Sequence, residues 1–497
     1  MNFIGLDIGT SGVKALCMDE NGRVEKGCRA GYGFLSSGRG RRELDPESVW
    51  RAVLRCLGET GGGREIETVT VSALGEAVIA VDAFGRCLST GITGTDERGR
   101  EQYKAFMEKA GSRKVAEITG LPPSPLYSIG KILWMKESEP EVFERIHKVF
   151  TFQDFVIYRL CGFAAVDASM ASRSMLLDHR IRRWSPWLFE QAGLPVTLMS
   201  EVVDSGTVVG VMGEGLRREL SIKGKVRITA GCHDHIANAL GAGVCRAGEC
   251  VNAAGTTEGL TAVMEKGVLG AAAVEKYQVA CEPFAIPGLY NTVAFSNASG
   301  SVLKWFVKDI LKAGDDMYEI LGRSIRREPS PVLTLPHFAG AATPCMDEHS
   351  RGALLGLTLE AGREEIYQAL VEGTQMELGL IYKCLREAKV PICRIAATGG
   401  MASEEILQMK ADILGCEIYT PDCRETGAAG GAILGAAACG VYRNPVEAAD
   451  HMVREKRRYY PDKKRHEAYK RKQEIYNGLY GLLREVNKTE MTKAEQV

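Results

Sequence analysis

A few short segments carry residues whose types and spacing could do chemistry. In Asp7-Ile-Gly-Thr10-Ser11-Gly-Val-Lys14 a strand-ending carboxylate precedes a tight turn of small and hydroxylated residues. Such a turn offers backbone N–H groups and two hydroxyls to a phosphate, and Asp7 could hold a magnesium ion through its waters. An ordinary hairpin with a surface lysine reads the same way. In Thr229-Ala-Gly231-Cys-His233-Asp234-His235 a strand ends and a helix begins. A carboxylate there lies in the crevice where α/β sheets bind ligands. Asp234 could accept a hydroxyl proton as a phosphoryl group arrives. Two other readings stay open: a helix N-cap at Asp234, or a transition-metal site from His233, Asp234 and His235. In Thr398-Gly399-Gly400-Met-Ala-Ser403 paired glycines permit close approach of a flat ring, and Ser403 reads as a helix cap. A plain strand–loop–helix explains the cap equally well. Glu425-Thr-Gly-Ala-Ala-Gly-Gly-Ala-Ile-Leu-Gly435 opens a helix of small residues that close packing alone could account for.

The elements that position these residues alternate between strand-like and helix-like patterns, which predicts an α/β fold. Phe3–Asp7 and Val13–Met18 flank the first turn, and Thr68–Ala73 and Val78–Asp82 read as further strands. Asp45-Pro46 opens a helix with Trp50, Val53, Leu54 and Leu57 on one face. A second start falls near residue 246. Strand-like Cys250–Ala254, the turn Gly255-Thr256-Thr257 and strand-like Leu260–Met264 echo the opening hairpin, with Ala253 in the place of Asp7. We therefore expect an N-terminal domain over 1–245, a C-terminal domain over 246–486 and a flexible tail over 487–497. The segment from Asp462 to Val486 predicts one amphipathic helix docking through Tyr469, Ile475, Leu479 and Leu482.

Composition narrows the function classes. A chain of 497 residues is too long for one ordinary core. A net charge of -1 supplies no field to recruit nucleic acid or an anionic membrane. The chain opens without a basic leader, and its most apolar later stretch, Gly430 to Val441, is too short to span a bilayer. Its 15 cysteines include no C-x-x-C pair, so they read as reduced core residues of a cytoplasmic protein. The G-x-x-x-x-G-K-[ST] loop and the H-R-D and D-F-G motifs are absent, which excludes P-loop and ordinary protein-kinase chemistry.

Taken in order, the segments resemble the FGGY family of carbohydrate kinases. Gly5-Leu-Asp7-Ile-Gly-Thr10-Ser11 resembles its first phosphate loop and Gly255-Thr256-Thr257 its second. Asp154 with Asp167-x-Ser169-x-x-Ser172 resembles a mid-domain pattern, and Gly231-Cys-His-Asp234 the catalytic-base segment. Leu335-Pro336-His337 with Arg351-Gly352 resembles the nucleotide side, and Gly399-Gly400…Ser403…Gln408-x-x-Ala411-Asp412 the adenosine signature. The resemblance implies two actin-like, ribonuclease-H-like domains with the active site in the cleft between them. It implies ATP and Mg2+ as cofactors, and a homodimer as the usual assembly. Carried over, Asp234 is the general base and Asp7 organises Mg2+. Thr10, Ser11, Gly255 and Thr256 cradle phosphates, and Gly399, Gly400 and Ser403 line the adenine pocket.

The sugar pocket departs from the family pattern. Ser72-Ala-Leu-Gly75-Glu76 stands where xylulose kinases show Gln-Met-His-Gly and glycerol kinases show Arg-Glu. Thr95-Asp96-Glu97-Arg98 resembles W-x-D-x-R with Gly94 at the Trp position. Glu76, Asp96 and Arg98 are the candidate hydroxyl ligands, with a surface salt-bridge cluster as their plainer reading. Whether Gly75 and Gly94 enlarge the pocket stays open at this stage. The leading expectation is a ketose kinase, L-fuculose- or xylulose-like. A polyol kinase, erythritol-like, and a non-catalytic actin-like ATP-binding protein are the alternatives.

Overall fold

The computed structural model describes residues 1–494 apart from 36, 37, 39, 401 and 402, with side chains as far as 487. Apolar residues with extended-chain preference build two sheets. In the first, β1 (Asn2–Ile8), β2 (Gly12–Asp19), β3 (Val24–Gly31), β4 (Thr68–Ala73) and β5 (Arg227–His233) lie in the order β5-β4-β1-β2-β3. In the second, β6 (Gly248–Ala254), β7 (Glu258–Glu265), β8 (Leu289–Ser296), β9 (Ile392–Gly399) and β10 (Glu417–Pro421) lie in the order β8-β7-β6-β9-β10. The opening three strands of each are antiparallel and the next two add in parallel. The hairpin echo in the sequence therefore extends to strand order and direction. β4, paired on both sides, is buried along its whole length, as a parallel inner strand covered on both faces must be.

Two helices fill the space between the sheets: α1 (Asp234–Gly241) and α4 (Thr426–Ala438), with α2 (Arg363–Glu387) and α3 (Glu404–Leu414) belonging to the second sheet's side. Glycine makes this approach possible. A Cβ on Gly5 would stand 1.8 Å from the Ala428 carbonyl, and one on Gly430 would stand 2.0 Å from that of Ala237. The small-residue run from Glu425 is thus an interface that brings a helix of the second half onto β1 and α1. Most buried Ala, Ile and Leu of α1 and α4 share one apolar cluster.

The C-terminal segment differs from expectation. It forms two helices, α5 (Lys463–Asn477) and α6 (Leu479–Ala494), broken at Gly478. Tyr469, Tyr476 and Leu479 are buried while Ile475 and Leu482 are exposed. The Tyr476 hydroxyl donates to buried Glu377, so a polar anchor, not the apolar stripe alone, sets the docked face. Helix α6 runs through most of the segment expected as a tail, and 487–497 contain neither Gly nor Pro to stop it; 495–497 lie outside the described residues.

Gly430→Ala tests the interlock. The substitution adds about 1 kcal/mol of helix propensity, yet its Cβ would meet backbone at 2.0 Å. The clash should win, with a net loss of about 2 kcal/mol and a lowered calorimetric midpoint.

Candidate active site

The first hairpin closes with Gly9 N donating to the Gly12 carbonyl at 3.0 Å, which leaves Thr10 and Ser11 exposed at its tip. Asp7 sits one pair below the turn, opposite Lys14 in register. Lys14 Nζ lies 3.6 Å from Asp7 Oδ2. Asp7 is only 8% exposed, because a Cβ-free Gly427 of α4 lies against its carboxylate. Burial pushes the Asp7 pKa up to about 6, with Lys14 opposing and Asp234 adding to the rise. A buried carboxylate that a second carboxylate destabilises is a fit for a cation. Asp7 is the residue that would hold Mg2+, which supplies charge neutralisation for phosphate oxygens when bound.

Asp234 owes its position to a bulge. The pairing of β5 with β4 shifts register between Ala230 and His233. The extra residues are pinned by side chains: Cys232 N donates to Ser72 Oγ at 3.2 Å, and His233 N to Ser169 Oγ at 2.9 Å. Ser169 in turn donates to buried Asp167 at 2.8 Å. Bulges re-aim side chains in this way beside active sites. His233 becomes the helix cap and Asp234 the first residue of α1, so the N-cap reading of Asp234 does not describe this junction. Asp234 remains partly exposed and accepts from the His235 backbone N–H at 2.7 Å. His233 Nε2 lies 3.2 Å and His235 Nε2 4.0 Å from Asp234 Oδ1. The three side chains do converge, with ligand atoms within 4.8 Å of one another. Burial, chiefly, and the charge of Arg173 hold His233 neutral.

The second hairpin repeats the first, with Gly255 N donating to the Thr257 carbonyl at 2.9 Å and Gly255, Thr256 and Thr257 exposed. Gly399 pairs with Ala254 at the end of β9, and its φ of 97° with a Cβ position 2.1 Å from the Ala254 carbonyl admits only glycine. Gly255, Thr256, Gly300, Lys304 and Gly400 line a cavity of about 450 Å³. Gly300 and Gly400 also border a second of about 460 Å³, walled by Leu303, Tyr318, Tyr367 and Ser403. Together they form a continuous trough from hairpin to helix, wide enough for a nucleotide. Ser403 caps α3 through Ile406 N as well as lining the trough. Met401 and Ala402 of the same run lie outside the described residues. Sequence reading missed the tie beneath: buried Lys410 of α3 donates to Glu258 at 2.6 Å, and Ser299 donates to the same carboxylate at 2.8 Å. This ion pair fastens the second hairpin to α3.

The sugar-side residues separate into two groups. Asp96 and Arg98 are not a surface cluster. They are buried against each other, and Arg98 also reaches Glu43 at 2.6 Å. Asp96 further accepts from Arg42 N at 2.7 Å, so its oxygens are occupied within the protein. Glu76 stands apart. Its backbone is left-handed, with φ of 61°, and its carboxylate accepts twice from Arg173, both bonds ending on Oε1. Strain of this kind in a non-glycine residue is a feature of functional sites. Neither Gly75 nor Gly94 opens extra space. A Cβ on Gly75 would stand 2.9 Å from His233 Nε2 and 3.1 Å from Arg173, and one on Gly94 would stand 3.0 Å from Leu126. The space beside Gly75 is thus filled by Arg173, an arginine supplied from another element. Its only sequence signal was adjacency to Ser169 and Ser172.

Two sheets of one topology, paired hairpins and a helix-head carboxylate between them define a two-domain, actin-like phosphotransferase fold. The N-terminal domain model of the FGGY family of carbohydrate kinases matches residues 2–241 and its C-terminal domain model residues 250–439. The chain belongs to this family, and it is a carbohydrate kinase that uses ATP. It is 25% identical to the xylulose kinase of Bacillus subtilis (strain 168), over 97% of each chain. It is 24% identical to the gluconokinase of the same organism, over 97% of this chain and 96% of the relative. The xylulose kinase structure from Rhodospirillum rubrum superposes with a TM-score of 0.89 at 23% identity, covering 98% of this chain and 100% of that one. Among the described residues no helix is long and apolar enough to cross a membrane.

The raised pKa of Asp7 predicts a trade of stability for function. Its folded value, pushed up to about 6, lies above the ordinary carboxylate value of the unfolded chain. The folded state is therefore favoured by protonation at low pH, and that advantage is lost as pH rises through about 6. Asp7→Asn should raise the unfolding free energy by about 2 kcal/mol near pH 8, add almost nothing near pH 4, and cost turnover. Chemical denaturation at the two pH values measures this.

Proposed function

We propose that the chain transfers the γ-phosphoryl group of ATP to a hydroxyl of a ketose, xylulose- or L-fuculose-like, with Asp234 as general base and Asp7 organising Mg2+. The observation that carries this is the position of Asp234: partly exposed after a pinned bulge, at the head of α1, with its charge felt at Asp7 at the end of another strand of the same sheet. A carboxylate suffices as base because the acceptor proton leaves late in a loose transition state. The exposed hairpin tips, Thr10 and Ser11 on one side and Gly255 and Thr256 on the other, are suited to hold phosphate oxygens. The trough beyond Gly399 and Gly400 suits the adenosine, with Ser403 on its wall. On the acceptor side Glu76 keeps Oε2 for a hydroxyl, while Asp96 and Arg98 brace the wall behind it. All 15 cysteines are unpaired thiols, which supports work in the reducing cytoplasm.

A second reading, an erythritol-like polyol as acceptor, is favoured by one observation. Arg173 beside Glu76 restores in space the Arg–Glu pair that the sequence lacks at Gly75-Glu76.

Asp234→Asn should fold and bind ATP with near-normal affinity by calorimetry, while kcat falls by about 10³-fold. Near-normal turnover would remove Asp234 from the base role. ADP release measured against ketoses, aldoses, polyols and sugar acids, with and without Mg2+, identifies the acceptor. Stimulation by a ketose supports the main reading, and stimulation by a polyol alone the second.

A further inference from the structure

Resting on the reading of Asp234 as the base beside the acceptor, the charges around that place bear on the acceptor's class. Arg173 is the cation at the cluster, and it is already paired with two carboxylates. Its Nε and Nη2 donate to Glu76, its Nη1 donates to Glu282, and its guanidinium lies 5.1 Å over the Tyr127 ring. Glu282 arrives from the other half of the chain, on the edge strand Glu282–Pro283, with no exposed side-chain surface. Two further cations on the same side, buried Lys131 and half-buried Arg98, are engaged as well. Lys131 Nζ donates to the carbonyls of Gly94 and Leu126 at 3.0 and 3.3 Å, and to that of Pro125. Arg98 is held by Asp96 and Glu43.

One guanidinium thus faces the carboxylates Glu76, Glu282 and Asp234, with neutral His233 between. A sugar acid would bring another negative charge into a cluster already negative, whose guanidinium is already paired with two carboxylates. A neutral acceptor needs only to donate hydroxyls, and Glu76 Oε2 accepts them. We infer that the acceptor is a neutral polyhydroxyl compound and that Arg173, neutralised from both halves of the chain by Glu76 and Glu282, is the residue that turns sugar acids away.

Steady-state ADP release by the purified full chain, with D-xylulose, L-fuculose, erythritol and gluconate as acceptors, tests this. The best neutral acceptor should exceed gluconate in kcat/KM by about 100-fold or more. Glu76→Gln removes one countercharge and should narrow that ratio about tenfold. Glu282→Gln should shift it the same way, and carries the test if Glu76→Gln does not fold. Gluconate as good as every neutral acceptor overturns the inference, and an unchanged ratio in folded variants removes Arg173 from it. Calorimetric binding of the same compounds separates this failure from that of the catalytic reading. A chain that binds neutral sugars over gluconate without turning them over keeps the role of Arg173 and loses that of Asp234.

Discussion

The contact on which everything else depends is the approach of backbone to backbone between α1, α4 and β1. Helices with ordinary side chains pack at 8–10 Å, and the positions of Gly5, Gly241, Gly427 and Gly430 here leave no room for a Cβ. That closeness places Gly427 against the Asp7 carboxylate and keeps the head of α1, with Asp234, beside the first hairpin. A wider spacing would separate the two carboxylates and flood Asp7 with water. Its raised pKa is the electrostatic signature of the same packing.

Function is distributed over the two sheets in unequal parts. Each sheet contributes a hairpin with an exposed, hydroxylated tip and an acid below it, Asp7 in the first and Glu258 in the second. Beneath the second hairpin, Glu258 instead points into the protein, where Lys410 and Ser299 hold it. One copy leaves its carboxylate near Asp234 and the other uses its own to fasten α3. The ends of Arg173 express a similar division, since its two carboxylate partners come from opposite halves of the chain. Arg173 therefore ties the two halves of the chain together directly, beside Glu76.

Local pattern made much of this legible. The strand–turn–strand echoes at Gly9-Thr10-Ser11 and Gly255-Thr256-Thr257, the Ser403 cap and the strand end before Asp234 all depend on neighbours within a few residues. The places where reading failed are those that depend on distant partners. Asp96 and Arg98 looked like ligands because a one-dimensional pattern cannot show that Glu43 and the Arg42 backbone already satisfy them. Hydrophobicity alone points to Ile475, whereas the hydrogen bond from Tyr476 to Glu377 decides which face docks.

The amino-acid sequence by itself determined the α/β class, the duplicated hairpins, the strand end at the paired glycines, and the identity of Asp7 and Asp234 as the acids at strand ends. These are set by short-range periodicity and turn chemistry, which need no partner. Only the tertiary structure decided the charge state and the neighbours. It pinned the Asp234 bulge through Ser72 and Ser169, and it filled the space beside Gly75 with an arginine from 98 positions further along the chain. It also set Glu282 against that arginine. Electrostatics and packing act through space, and a charge's effect is fixed by what burial brings against it rather than by what stands beside it in sequence.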